Sequence, residues 1–268
     1  MELHTCFFTK SDCFLRGEKI APQGVMVHST GANNPWLKRY VQPDDGLLGN
    51  NPNANDWNRP GLDVCVHAFI GRKQDGSVAT YQVLPWAHRG WHAGGAANNT
   101  HISFEICEDG LNDRQYFEAV YREAAELTAF LCRQYRLDPL RDGVVIDHAE
   151  GSKRGVASNH GDVSHWFPKF GKTMDDFRYD VNLLLGADNM TAGDLEKLID
   201  ARIKAALVGA DTKPSPWAEE ELQSAVAHGI TDGTRPRGYA TREETAIMVE
   251  RLRKKIEGSY SPSVSLRA

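Results

Sequence analysis

The sequence predicts an α/β protein, in which a mixed central β-sheet is flanked by helices and a small helical region follows at the C-terminal end. Short apolar runs of strand length alternate with helical periodicity through residues 20–186. After them come an amphipathic stretch and a linker-like segment, DTKPSP. We therefore expect a large domain, of the size of a catalytic domain, in residues 1–186. A helix and linker are expected in 187–213, and a small helical module in 214–268.

The first predicted strand is GVMVHSTG, residues 24–31, an apolar run that ends in small polar residues. Residues 32–60 are rich in Asn, Pro, Asp and Gly, and so long a loop is uncommon unless it serves a binding site or a lid. Residues 62–85 contain an apolar alternation, a Gln-Asp-Gly turn and more apolar residues. This pattern predicts a β-hairpin.

The sequence HISFEICED, residues 101–109, predicts another strand, with Ile102 on its apolar face and Glu105 on the other. Residues 113–135 then carry apolar side chains at three- and four-residue steps, which predicts a helix. A short strand is expected in GVVIDH, residues 143–148. A helix that ends near Gly186 closes the domain.

The last part of the chain has helical patterns only. Residues 194–208 predict an amphipathic helix, and residues 216–255 predict two helices around a Gly-rich turn. The second of these two begins at Thr241, with Glu244 three positions later, a capping-box pattern. This small unit is expected to pack on another surface, such as a second copy of itself.

Composition excludes several classes of partner and location. The chain has 268 residues, a net charge of -5 and no run of basic residues, so we expect neither nucleic acid nor an anionic membrane as a partner. No apolar run approaches the length of a membrane span. The N-terminal segment lacks the pattern of a secretory signal, so a cytoplasmic protein is expected.

The five cysteines are odd in number and scattered, and no CxxC pair occurs. This spacing argues against a zinc ribbon and against a disulfide framework. We therefore expect most of the cysteines to be reduced, buried and without a chemical role.

Chemistry-bearing side chains follow several of the predicted strands. His28 and His148 each stand at a strand end, Glu105 lies on a third strand, and the loop VASNHGDVSHWFP, residues 156–168, adds two histidines and an aspartate. In α/β sheets the residues of a site gather on loops at strand ends. Two imidazoles and one carboxylate would suit zinc, with a fourth position open for water.

Four ordered blocks in the sequence resemble those of the zinc-dependent N-acetylmuramoyl-L-alanine amidases. This is the amidase-2 family, which is related to peptidoglycan recognition proteins and phage endolysins. The blocks are GVMVHSTG, QDGSVATYQVLP with RGWHAGG, HISFEICE, and DHAEGSKRGVASNHGDVSHW, and they cover roughly residues 20–186.

The resemblance implies a role for each residue that matches the family pattern. His28, His148 and Asp162 would bind zinc, and Glu105 would be the general base for the attacking water. His160 takes the place of a family lysine that faces the reacting carbonyl oxygen.

Two departures keep the third ligand open. Asp162 is followed by Val163 rather than proline, and the span that precedes it from His148 is long. His160 and His165 are therefore alternatives to Asp162.

His67, His92 and Trp91 are expected to line the cleft and to bind substrate. His92, in GWHAGG, is the better candidate of the two histidines for substrate contact.

The implied function is zinc-dependent hydrolysis of the amide bond between N-acetylmuramic acid and L-alanine in bacterial peptidoglycan, in a phage or prophage endolysin that reaches the wall from the cytoplasm. One alternative is a non-catalytic peptidoglycan-binding module on the same fold. Another is a zinc peptidase of the stem peptide, although no HExxH motif is present. The C-terminal module resembles one S-layer-homology-like repeat, which implies wall binding, and a homodimer through its helices is the alternative.

Overall fold

The computed structural model describes residues 1–187, 213–234, 236 and 240–259 of the chain. Two compact units are present, Met1–Asp188 and Asn189–Ala268. The helix predicted in residues 194–208 lies outside the described residues. None of the described helices is long and apolar enough to cross a lipid bilayer.

Within the described residues, six strands of the first unit form one mixed sheet, in the order β1-β4-β3-β5-β2-β6. Only the β3–β4 pair is antiparallel, and it is the hairpin predicted from the sequence. The other neighbours pair in parallel. The predicted mixed sheet is confirmed. The strands are β1 (Leu3–Thr5), β2 (Gly24–Ser29), β3 (Ala68–Arg72), β4 (Val78–Gln82), β5 (His101–Ile106) and β6 (Val145–Asp147).

Helix α2 (Arg114–Tyr135) covers one face of this sheet. Asp113 caps its N-terminus by accepting a hydrogen bond from the backbone N–H of Tyr116. Its apolar side packs on Val27 of β2 and on Phe104 and Ile106 of β5, which form one buried cluster with it. The opposite face of β2 and β5 is thereby left for polar side chains. The helices of the first unit are α1 (Asp12–Arg16), α2 (Arg114–Tyr135), α3 (His148–Lys153) and α4 (Met174–Ala187).

The long Asn-, Pro- and Gly-rich loop contributes to a second core. Leu37, Tyr40, Val41 and Leu48 of this loop are buried and belong to one apolar cluster with strands β3 and β4. The ring of Tyr40 stacks on that of Phe69, with ring centroids 5.2 Å apart. Burial of these side chains fixes much of the loop against the sheet.

Cys13 and Cys65 form a disulfide, which corrects the expectation that the cysteines have no chemical role, although three of the five are free as predicted. They are 52 positions apart in sequence, so their spacing gave no sign of the pairing. Cys65 pairs its backbone with Trp91 in an isolated β-bridge, outside the named strands, and this places it beside α1. Cys6, Cys107 and Cys132 are free, and the last two are buried as predicted.

We expect the double variant Cys13→Ala/Cys65→Ala to lower the free energy of unfolding by about 2–4 kcal/mol, because the disulfide restricts the unfolded chain. Urea unfolding of the full chain, with and without dithiothreitol, measures this loss. A Cys6→Ala variant keeps the disulfide and should still be destabilised by reduction. Equal unfolding midpoints for the double variant and the unaltered protein would contradict the prediction.

The second unit contains the two helices predicted for it, α5 (Glu219–Ala227) and α6 (Arg242–Ser259). The predicted capping box is confirmed. Thr241 Oγ1 accepts a hydrogen bond from the backbone N–H of Glu244 at 3.1 Å, and the Glu244 carboxylate accepts one from the N–H of Thr241 at 2.7 Å. Several apolar side chains of α6 are exposed, namely Ile247, Val249, Leu252 and Ile256.

Candidate active site

Three predicted site residues lie at the carboxyl ends of three neighbouring parallel strands. His28 of β2 is the Cα partner of Glu105 of β5. Strand β6 pairs with β2 on its other side, with Asp147 opposite Val27, and His148 follows directly as the first residue of α3. His28 and Glu105 lie on the sheet face opposite α2, because residues alternate in direction along a strand. The strand register therefore brings the three residues together.

A polar network fixes the start of α3 and with it His148. Asp147 caps the helix by accepting a hydrogen bond from the Glu150 backbone N–H at 2.7 Å. The Arg178 guanidinium donates to both carboxylate oxygens of Glu150, at 2.9 and 3.0 Å. Ser164 Oγ donates to Asp147 Oδ2 at 2.5 Å, which links α3 to the turn that carries Asp162. Burial raises the pKa of Asp147.

Asp162 completes a group of three converging side chains. Its Oδ2 lies 2.9 Å from Nδ1 of His28 and 2.9 Å from Nδ1 of His148, and the two nitrogens are 3.2 Å apart. Asp162 begins the 3-10 turn Asp162–His165 with a φ of 43°, in the left-handed region that aspartate adopts more readily than most residues. The backbone thus turns its carboxylate onto both imidazoles.

The charges in this group suit a cation. Burial acts to raise the pKa of Asp162, but hydrogen bonds from His148 and His28 outweigh it and hold the pKa well below its ordinary value. Burial lowers the pKa of His28, despite its hydrogen bond to Asp162. An ionised carboxylate beside a neutral imidazole is the state in which these side chains bind metals.

Glu105 is a half-buried residue beside this cluster. Its Oε2 is buried and has no hydrogen-bond partner among the described residues. Burial raises the pKa of Glu105 well above its ordinary value, and the negative charges of Asp162 and Glu108 add to the shift. A buried polar atom without a partner is costly, so this oxygen is suited to binding a polar ligand or a proton.

The two alternative third ligands lie elsewhere. His160 Nδ1 is 3.0 Å from Ser158 Oγ, although its ring centroid is only 4.7 Å from that of His148. His165 Nε2 lies 3.0 Å from Oε1 of Glu108. The structure therefore brings Asp162, and neither of these histidines, onto both imidazoles. His160 stands at the side of the group.

His67 is fully buried, and both of its ring nitrogens have protein partners. Its Nε2 lies 2.8 Å from the carbonyl oxygen of His88, and its Nδ1 accepts from the backbone N–H of Ser103 at 3.0 Å. In this position the His67 ring offers no free nitrogen to a substrate. Its predicted role in substrate binding stays a prediction, and one that this burial does not favour.

The other two predicted substrate residues lie in different surroundings. Trp91 is half-buried, and the guanidinium of Arg16 lies over its ring at 5.2 Å from the centroid. His92, one position later, contacts the group formed by His28, His148 and Asp162, because its Nδ1 lies 3.0 Å from Nε2 of His28. Substrate contact stays a prediction for both residues.

Two polar residues near the site were not predicted from the sequence. Glu108 is buried and accepts a hydrogen bond from Ser29 Oγ at 2.5 Å, in addition to its contact with His165. Ser158 lies 3.1 Å from Nε2 of His148. For Glu108 the available signal was its place in the acidic pair directly after an apolar strand, where site residues often lie.

The family model described as N-acetylmuramoyl-L-alanine amidase matches residues 18–165, more than half of the chain. The chain belongs to this amidase family. The predicted family, with its enzyme class, is thereby confirmed. No curated protein matches this amidase at the sequence level.

This amidase is similar to several solved structures. The Staphylococcus aureus hydrolase AmiA, in complex with its ligand, aligns with a TM-score of 0.50 and 18% identity, over 72% of this chain and 85% of that chain. The catalytic domain of XlyA aligns with a TM-score of 0.48 and 20% identity, over 68% and 99% of the two chains. A mutant endolysin from Bacillus subtilis gives 0.47 and 21%, over 68% and 99%. At such identities the likeness concerns the fold alone.

Proposed function

We propose that this amidase hydrolyses the amide bond between N-acetylmuramic acid and L-alanine in peptidoglycan, and that zinc is its cofactor. The observation that carries the proposal is the convergence of His28, His148 and Asp162, whose ligand atoms all lie within 4.8 Å of one another. Glu105, with its unpartnered oxygen, lies on the neighbouring strand beside His28.

The three side chains fit zinc in kind and in spacing. Catalytic zinc sites use three protein ligands, drawn from His, Asp, Glu and Cys, and keep a fourth position open. Ligands about 2.0–2.2 Å from a tetrahedral zinc lie about 3.3–3.6 Å from one another. The pairs of His28, His148 and Asp162 are 2.9–3.2 Å apart, so they need to separate by only a few tenths of an ångström.

When bound, zinc would supply a water molecule with a pKa near 7 and would polarise the carbonyl of the scissile amide. Glu105 would accept the proton of the attacking water and return it to the leaving amine of L-alanine, and its raised pKa suits both transfers. His160 lies beside His148 and would donate a hydrogen bond to the oxyanion. The negative charge of Asp162 beside the two imidazole rings would favour a dication in the group.

The test is digestion of purified peptidoglycan by the full chain, followed by mass analysis of the soluble products. We expect intact stem peptides that begin with a free L-alanine amine, no release in the presence of a chelator, and recovery when zinc is added back. A peptidase of the stem peptide would release shortened peptides and leave the muramic acid amide intact. A non-catalytic module would sediment with the wall and release nothing.

The second unit is proposed to bind a wall polymer, with homodimerisation as the alternative. A cavity of about 330 Å³ in this unit is lined by apolar side chains together with Asp232, Glu244 and Arg251, and this mixed lining could hold a polymer that has both polar and apolar groups. The exposed apolar side chains of α6 favour a second copy of the chain instead. The endolysin-type role, with release to the wall from the cytoplasm, stays a prediction.

A further inference from the structure

In both histidines of the proposed zinc site, the ring nitrogen that does not face Asp162 lies within hydrogen-bond distance of another protein side chain. His28 Nε2 lies 3.0 Å from Nδ1 of His92, whose own Nε2 lies 3.2 Å from the carbonyl oxygen of His101. His148 Nε2 lies 3.1 Å from Ser158 Oγ, which donates to the carbonyl oxygen of Ala93 at 3.2 Å. The partners His92 and Ala93 are consecutive residues, so one loop serves both ligands.

One arrangement of protons satisfies the series of hydrogen bonds from His28 through His92 to the carbonyl oxygen of His101. If Nδ1 of His28 faces the cation, its Nε2 carries the proton and donates to Nδ1 of His92. His92 then carries its own proton on Nε2 and donates it to the His101 carbonyl. His92 is therefore an acceptor toward His28, and the carbonyl of His101 determines which of its nitrogens is free to accept.

The loop is fixed by one side chain and by close packing. Asn98 Oδ1 accepts hydrogen bonds from the backbone N–H groups of His92 and Ala93, at 2.9 and 2.8 Å. A Cβ on Gly94, which has a φ of 61°, would stand only 2.9 Å from Ser158 Oγ. A Cβ on Gly95 would stand 2.5 Å from the carbonyl oxygen of Val156. The Gly-Gly pair thus allows the loop to approach the segment that carries Ser158.

We propose that His92 is a positioning residue for the metal site, which holds the His28 ring in the orientation and tautomer that present Nδ1 to zinc. The proposal rests on the zinc site of the proposed function and goes beyond it by assigning a role to a residue that is not one of the three proposed ligands. Its distinctive claim is that the acceptor atom of His92 matters, rather than the bulk of its ring.

The test compares His92→Asn with His92→Leu in the full chain. Asparagine places its Oδ1 near the position of the histidine Nδ1 and keeps an acceptor for His28, whereas leucine has the same branching and no acceptor. We expect His92→Leu to weaken zinc binding by about 10- to 100-fold, as loss of the partner of a ligating histidine does. His92→Asn should bind zinc nearly as tightly as the unaltered protein.

Zinc affinity is measured by competition with a chromophoric chelator, and the absorption spectrum of the cobalt-substituted protein reports the ligand geometry. His88→Leu serves as a control, because His88 is a buried histidine that packs against Phe14 and should leave zinc affinity unchanged. The proposal would be overturned if the unaltered protein, His92→Asn and His92→Leu bound zinc with equal affinity. Equal weakening in His92→Asn and His92→Leu would also overturn it.

Failure of this inference can be told from failure of the proposed function. A His92→Leu variant that binds zinc normally would remove the role of His92, while release of L-alanine-terminated peptides by the unaltered chain would still support the amidase activity. If the predicted order of zinc affinities holds but no such peptides appear, the role of His92 stands and the proposed reaction fails.

Discussion

Replacement of Glu105 with glutamine should lower kcat for the release of stem peptides by about 10²- to 10⁴-fold, the usual contribution of a general base. Glutamine keeps the size of the side chain but cannot accept and return a proton. Because Glu105 lies beside the proposed ligands rather than among them, zinc content should be unchanged. Single-turnover digestion of peptidoglycan and metal analysis of the same preparation measure the two effects.

Glu123→Gln provides a matched control for this substitution. Glu123 is a buried glutamate on α2, on the opposite side of the sheet, where it accepts a hydrogen bond from Thr80 Oγ1 at 2.9 Å. This variant should retain full hydrolytic activity. A Glu105→Gln protein that cleaves peptidoglycan at the unaltered rate would exclude Glu105 as the general base.

Replacement of His28 with alanine should remove zinc from the dialysed protein and should abolish hydrolysis. This substitution removes one of the three proposed protein ligands. The affinity for zinc should therefore fall by more than it does when a ligand loses its hydrogen-bond partner, a loss of about 10- to 100-fold. Isothermal titration with zinc, together with metal analysis after dialysis, measures the loss. Circular dichroism of the metal-free proteins checks that the fold is retained.

The third ligand is tested in the same series. Asp162→Gly retains the φ of 43° without strain, since glycine adopts this region freely, and it should also lose zinc. His165→Ala removes one of the two alternative ligands that the sequence left open, and it should retain the metal. The reverse pattern, with zinc lost only in His165→Ala, would show that the loop places a different residue on the metal.

Much of the fold was predictable, because strand and helix patterns were strong where side chains face a core. Strand β5 and helix α2 are examples, since their apolar residues pack against each other in one cluster. The short strand β1 was missed, since its three residues include the polar His4 and Thr5 and form no apolar run. The disulfide was missed because it depends on tertiary contact between distant positions.

The site was predictable in its residue types and less so in its geometry. Resemblance to the family indicated His28, His148 and Glu105, but the pairing of His28 with Glu105 depends on the register of two strands separated by the β3–β4 hairpin. The resemblance also indicated Asp162, but His160 and His165 stayed open as alternatives, because a one-residue change in an irregular loop redirects every side chain. The contact of His92 with His28 likewise depends on a turn held by Asn98.

The direct backbone pairing of His28 with Glu105 bears on how such an enzyme can change over evolution. The spacing between a proposed ligand and the proposed base is set by a ladder of main-chain hydrogen bonds, which tolerates exchange of surface segments. Surface loops could therefore be lengthened, shortened or exchanged, while His28 and Glu105 keep their separation. New target ranges would be reached by remodelling the periphery, with the chemistry inherited intact.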